Sequence, residues 1–83
     1  MNQTIENNYV TEKLHIYTQI NEIVTKLIHI RKEAKFSQEF MADWLKVSRK
    51  KLNEFENGNF DFDLMVKYAD KLSIEIEINY KIY

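Results

Sequence analysis

The sequence predicts a small, mainly α-helical domain that ends in a β-strand, and three observations support this. The 83 residues suit a single domain. One Gly and no Pro leave few breaks in the chain, and apolar residues recur at helical spacing through most of it. The end of the chain instead alternates apolar and polar residues, which is the period of a strand. We therefore expect a bundle of four to five helices followed by one strand.

Composition limits the kind of protein this is. Cys is absent, which excludes disulfides and thiolate metal sites. No apolar run approaches the roughly 20 residues that span a bilayer, and the N-terminus does not resemble a signal peptide. His15 and His29 lack a zinc-binding spacing, and neither a nucleophile elbow nor a phosphate-binding glycine loop is present. We expect a cytoplasmic protein that is not an enzyme and has no metal, cofactor or membrane partner.

Charge is distributed unevenly along the chain. The net charge is -1, yet residues 26–52 carry +5, while residues 1–25 carry -2 and residues 53–83 carry -4. A local basic stripe can bind phosphate groups although the whole chain is nearly neutral. A solvated charged surface would have the same composition, so charge alone does not decide between the two.

The first helix is expected from near Gln19 to near Lys35, where apolar residues follow helical spacing. Thr18 is its predicted N-cap. Residues 14–17 either extend this helix or form a short strand, because periodicity does not decide between them.

Three further helices are predicted from their capping residues. Ser37 precedes a helix over 38–45, Ser48 precedes one over 49–57, and Asp61 precedes one that ends near Leu72. Gly58 occupies the position of a helix-ending glycine. The last helix is expected to bury Phe62, Met65, Val66, Ala69 and Leu72.

The strand at the C-terminus has an apolar face of five residues. These are Ile74, Ile76, Ile78, Tyr80 and Ile82. A lone strand leaves its backbone groups unpaired, so we expect antiparallel pairing with the same strand of a second copy. Pairing with residues 9–17 of the same chain is the alternative, and both together would give four strands.

The predicted organisation has three parts. Residues 1–18 form an N-terminal extension, residues 19–73 form the helical domain, and residues 74–83 form the dimerisation strand. A second subunit also fits the size of the chain, because so small a core gives little net stability.

Only Lys46 and Val47 separate the two middle helices, which is the spacing of a helix-turn-helix. One side of the second of these helices is polar. We call this side the polar face, and it consists of Arg49, Lys50, Asn53 and Asn57. Arg can bind guanine O6 and N7, and Asn can bind adenine N6 and N7. Geometry alone leaves a DNA-reading helix and a plain solvated helix equally open.

Nine side chains are expected to contact bases or phosphates. They are Ser37, Gln38, Lys46, Ser48, Arg49, Lys50, Lys51, Asn53 and Asn57. The start of the helix after Ser37 is included because free backbone N–H groups there attract a phosphate.

The stretch IRKEAKFSQEFMADWLKVSRKKLNEFENG, followed by LMVKYADKLSIEIEI, resembles the Xre/Cro/CI-type helix-turn-helix family of phage and bacterial repressors. This resemblance implies a lambda-repressor-like bundle in which the helix after Ser48 reads bases. It also implies a structural ion pair between Arg31 and Glu56. Lys46 stands where the family usually has Gly, and a left-handed conformation there would cost Lys about 1 kcal/mol.

The segment FENG…KLSIEIEI is similar to the HipB-like antitoxin regulators. That resemblance implies a small dimeric repressor of its own operon that also binds a toxin protein. We therefore expect a sequence-specific, autoregulatory transcriptional repressor, antitoxin-like or from a phage or mobile element, that binds double-stranded DNA as a homodimer.

The alternative is a protein-interaction module, such as a toxin-neutralising or inhibitor protein, whose helix-turn-helix does not read DNA. The near-neutral charge and Glu54, at the edge of the polar face, favour it. Phe40 and Trp44 are expected to pack in the core or in the dimer, whereas an exposed pair would indicate a protein partner.

Overall fold

The computed structural model describes the backbone of residues 2–79 and the side chains of residues 15–79. This part of the chain is mainly helical and contains four helices. They are α1 (Asn2–Glu33), α2 (Gln38–Leu45), α3 (Arg49–Glu56) and α4 (Phe62–Lys71). Helix α2 packs against α3 and α4, and α1 packs against α3 and α4. Within the described residues, no helix has the length and apolar character needed to cross a membrane.

Helix α1 begins at Asn2, so the predicted start near Gln19 and the N-cap role of Thr18 are wrong. Neither Gly nor Pro interrupts residues 2–33, and Thr is only mildly unfavourable inside a helix. Residues 9–17 belong to this helix, which rules out the alternative in which they pair with the terminal strand.

The N-caps of the other three helices are confirmed. Ser37 Oγ, Ser48 Oγ and Asp61 Oδ1 each accept a 3.0 Å hydrogen bond from the backbone N–H three residues further on. Each bond satisfies a helix N–H that has no intrahelical partner, and such a cap is worth about 1 kcal/mol. The three helices therefore begin where these short polar side chains predict.

All four helices end in the same way. Each is followed by a residue with a positive φ, which is 63° at Lys35, 59° at Lys46, 107° at Gly58 and 57° at Ser73. The N–H of that residue and the next N–H donate to carbonyls three and five residues earlier, respectively. This is the Schellman motif, in which glycine is the usual residue. Three of the four ends therefore hold a side chain in a conformation that disfavours one.

The core is built from all four helices. Its fully buried apolar residues are Leu27, Met41, Ala42, Leu45, Leu52, Phe55, Leu64, Met65, Tyr68 and Ala69. The predicted inner face of α4 is partly wrong, because Phe62 and Val66 are 59% and 45% exposed. Leu64 and Tyr68 are buried instead. Two apolar stripes overlap on this helix, and the sequence period alone does not select between them.

Residues 74–79 form no strand within the described part of the chain, although their apolar side alternates as expected. Its members Ile74, Ile76 and Ile78 are half-buried, and the residues between them are exposed. The other predicted strand residues, Tyr80 and Ile82, lie outside the described residues. Pairing of this segment with a second copy stays a prediction.

A side-chain amide of α1 bonds to the backbone at the end of this segment. Gln19 Nε2 donates to the carbonyl of Asn79 at 2.6 Å, and Gln19 Oε1 accepts from the N–H of Asn79 at 2.8 Å. The amide therefore satisfies both backbone groups of Asn79, as a neighbouring strand would.

Candidate nucleic-acid interface

Helix α3 is fixed from one side and open on the other. Leu52 and Phe55, on its inner side, are 0% and 1% exposed. All four residues of the polar face are exposed. Burial of the two apolar side chains holds the helix in place while the polar face points away from the core.

The cations on and beside the polar face differ in their surroundings. The side chains of Arg49, Lys50 and Lys46 make no hydrogen bond or ion pair with any residue the structure describes. Lys51 is different, because its Nζ lies 3.4 Å from Asp61 Oδ2. Three of the predicted phosphate- or base-binding cations are therefore uncompensated, whereas Lys51 is drawn toward the start of α4.

Ser37 and Ser48 are exposed at the N-termini of α2 and α3. Each uses one acceptor position of its hydroxyl in the cap. A serine hydroxyl also carries an O–H donor, so the capping role leaves that donor free for a further acceptor. Both residues therefore cap their helices and keep a donor for the predicted contact to phosphate.

Three amides form a connected chain on this surface. Gln38 Nε2 donates to Asn53 Oδ1 at 3.2 Å, and Asn57 Nδ2 donates to the same oxygen at 3.1 Å. Asn57 Nδ2 also donates to the backbone carbonyl of Asn53 at 2.7 Å. Gln38 Nε2 further donates to Glu56 Oε1 at 3.0 Å. The three linked amides thereby connect the polar face to the buried carboxylate of Glu56.

That carboxylate is paired with Arg31. Arg31 Nε lies 2.9 Å from Glu56 Oε2, and the second terminal nitrogen of the guanidinium lies 2.9 Å from Glu56 Oε1. The two side chains are 7% and 5% exposed. Arg31 also donates to the carbonyl of Phe36 at 2.7 Å. Charge-assisted, bidentate hydrogen bonds of this kind are roughly twice as strong as neutral ones, and this pair holds α3 against α1.

Tyr68 completes the buried network, although it was not among the predicted site residues. Its hydroxyl donates to Glu56 Oε2 at 2.7 Å. Burial alone would raise the pKa of Glu56, but hydrogen bonds from Arg31, Gln38 and Tyr68 outweigh it, and the pKa lies below its ordinary value. Burial and the neighbouring carboxylate raise the pKa of Tyr68. A Tyr within an apolar stripe signals a hydroxyl that needs a buried acceptor.

An aromatic cluster lies on the outer side of α2. Phe36, Phe40 and Trp44 contact one another with ring centroids 4.8 to 5.8 Å apart. Phe40 and Trp44 are 44% and 37% exposed, so the expectation that they pack in the core is wrong for the single chain. Lys71 Nζ lies 5.5 Å from the centroid of the Trp44 ring, within cation–π range.

The described residues contain no group of three side chains able to hold a metal ion. No protein-family model, no curated protein and no solved structure was found to match the chain. What the protein does is therefore inferred from its own contacts and charges.

Proposed function

We propose that this chain is a homodimeric, sequence-specific DNA-binding protein that represses transcription from its own promoter. In this proposal α2 and α3 are the helix-turn-helix of a lambda-repressor-like domain of the Xre/Cro/CI type. The observation that carries the proposal is the exposed polar face of α3, on a helix whose opposite side is fully buried.

The dimensions and charges of α3 suit a major groove. An α-helix with its side chains is about 10–12 Å in diameter, which fits the roughly 12 Å width of the groove, and the 8 residues of α3 can lie in it. Arg49 and Lys50 lie in its first turn and have no acidic partner among the described residues. Lys46 and the start of α2 flank the face and can bind phosphates. Base contacts and backbone contacts would then come from adjacent parts of one surface.

A second copy would cover the apolar surface that the half-buried side of the C-terminal segment leaves open beside α4. Phe62 and Val66 line a groove together with Ile74, Ile76 and Ile78. An isologous dimer with paired terminal strands would cover this groove and satisfy the free backbone groups. In such a dimer the two α3 helices would meet half-sites about 34 Å apart.

The decisive experiment selects binding sites for the purified protein from a random duplex library and measures affinity by mobility shift. The double variant Arg49→Ala/Lys50→Ala should lose specific binding while keeping its helical circular dichroism. The matched control Lys26→Ala/Lys67→Ala removes two exposed lysines from α1 and α4 and should bind normally. Equal binding by both variants would contradict the proposal.

The exposed aromatic cluster supports a second candidate, a module that binds a protein such as a toxin and does not read DNA. Exposed, clustered aromatic rings are typical of protein-binding surfaces. A tight complex with promoter DNA that weakens as salt rises and disappears in Arg49→Ala/Lys50→Ala would rule this candidate out.

A further inference from the structure

The hydrogen bonds that link the amides of Gln38, Asn53 and Asn57 have a fixed donor and a fixed acceptor at each step. Gln38 Nε2 donates to Glu56 Oε1, and an ionised carboxylate accepts hydrogen bonds but never donates them. The nitrogen of the Gln38 amide must therefore face inward. The second N–H of this nitrogen points to Asn53, so the atom of Asn53 that meets it must be the oxygen.

The orientation of Asn57, at the other end of this series of amides, is fixed by a backbone carbonyl. Asn57 Nδ2 donates to the carbonyl oxygen of Asn53, which is again only an acceptor. Its second N–H reaches Asn53 Oδ1. Two independent acceptor-only groups thus impose the same orientation on Asn53, and the two lone pairs of its side-chain oxygen are both occupied.

The consequence for the outer surface is asymmetric. Asn53 Nδ2 donates no hydrogen bond to any described residue, so both of its N–H groups are free, and Asn53 itself is exposed. A free Asn side chain binds adenine by donating to N7 and accepting from N6. Asn53 has no acceptor left for that second bond unless Gln38 and Asn57 release it.

We infer that Asn53 acts as a donor-only group and specifies guanine, whose N7 and O6 are adjacent acceptors in the major groove. This inference rests on the proposed function, since it names the base read by the same surface. It replaces the pairing with adenine that the residue type alone suggests. Gln38 and Asn57 are then positioning residues that set the specificity through Asn53.

The first test compares the sites selected from a random duplex library by the wild-type protein and by Asn53→Ala. The variant should lose its preference at one base pair per half-site, and the wild-type protein should select guanine there over adenine by about tenfold or more. Selection of another base at that position, or no position that depends on Asn53, would overturn the inference.

The second test releases the Asn53 oxygen. In the double variant Gln38→Ala/Asn57→Ala both donors are gone, so selection at the same position should move from guanine to adenine. The triple variant that adds Asn53→Ala is the matched control and should show no preference there. A double variant that folds, as judged by circular dichroism, and still selects guanine would contradict the inference.

The outcomes separate the two proposals. Wild-type protein that enriches no sequence would overturn the DNA-binding function together with this inference. Wild-type protein that enriches a defined site with adenine at the Asn53-dependent position would overturn this inference alone.

Discussion

Arg31 on α1 and Glu56 on α3 are joined by two parallel 2.9 Å hydrogen bonds at a position almost closed to solvent. Removal of one partner from such a pair leaves a buried charge without compensation, whereas removal of both does not. Single and double substitutions therefore separate the coupling between the two side chains from the contribution of each.

We expect Arg31→Met to lower the free energy of unfolding by about 3–5 kcal/mol, as measured by urea denaturation. The double variant Arg31→Met/Glu56→Leu should be destabilised by less than the sum of the two single variants. Arg49→Met is the control for loss of an exposed arginine and should change stability by about 0.5 kcal/mol or less. Additive effects in the double variant would show that the two side chains are not coupled.

Stability should fall at both ends of the pH range. The lowered pKa of Glu56 means that its contribution is complete above its ordinary pKa of 4.5 and is lost as pH falls further. The raised pKa of Tyr68 means that its contribution is complete below its ordinary pKa of 10.0 and is lost as pH rises above it. The urea concentration at the midpoint of unfolding, measured between pH 3 and pH 11, reports both the acid and the alkaline loss of stability.

Tyr68→Phe should remove the alkaline loss of stability and cost about 1.5–3 kcal/mol near neutral pH, since it deletes a hydrogen bond to a charged acceptor. Tyr17, which is 53% exposed, supplies the control, and Tyr17→Phe should leave the alkaline loss in place. An unchanged profile in Tyr68→Phe would mean that another group titrates.

The helix ends offer a test of backbone strain. Lys35→Gly, Lys46→Gly and Ser73→Gly should each raise the free energy of unfolding by about 0.5–1 kcal/mol, because glycine adopts a positive φ without penalty. Gly58→Ala should lower it by about 1 kcal/mol, and nothing within 4 Å of the added Cβ would contribute a clash. Lys32→Gly, inside α1, should destabilise instead. The midpoint temperature of thermal unfolding should rise in the three stabilised variants and fall in the two destabilised ones.

Local chemistry made α2, α3 and α4 predictable. Ser37, Ser48 and Asp61 each have a side chain that satisfies a free N–H within three residues, so the signal lies next to its effect. Gly58 marks one helix end for a similarly local reason. The other three helix ends could not be recognised from the sequence in this way, because the residues with positive φ there are Lys and Ser.

The start of α1 and the inner face of α4 were predicted wrongly for a different reason. Thr18 has the chemistry of an N-cap, but nothing before it stops the helix. On α4, Tyr68 is buried and Val66 is exposed, and the acceptor of the Tyr68 hydroxyl is Glu56, which lies 12 residues earlier in sequence. The network around Asn53 was likewise out of reach, since it depends on contacts between separate helices.

Salt dependence should distinguish phosphate contacts from structural charges. In the proposed complex with DNA, Lys46→Gln should reduce the slope of log affinity against log salt by about 0.9, the value for one phosphate contact. Lys51→Gln should reduce it less, because Lys51 already pairs with Asp61. Mobility shifts between 50 and 200 mM salt provide the slopes. Equal slopes for both variants would contradict the expectation that Lys46 contacts phosphate more strongly than Lys51 does.

The oligomeric state should depend on the apolar groove. Val66→Glu places a charge beside half-buried Ile76 and Ile78, and it should convert the proposed dimer to a monomer in sedimentation equilibrium. Lys67→Glu, one residue away on the exposed side of α4, is the control and should remain dimeric. A Val66→Glu protein that is still dimeric would place the interface elsewhere.

The side chain of Glu56, itself on α3, accepts from Arg31 on α1, from Gln38 on α2 and from Tyr68 on α4. No helix can therefore detach alone without withdrawing a contact from this one desolvated anion. Each partly opened form would therefore carry an energetic penalty, which favours unfolding of the four helices in one step. A domain with so small a core thus gains cooperativity from a single polar centre as well as from its apolar packing.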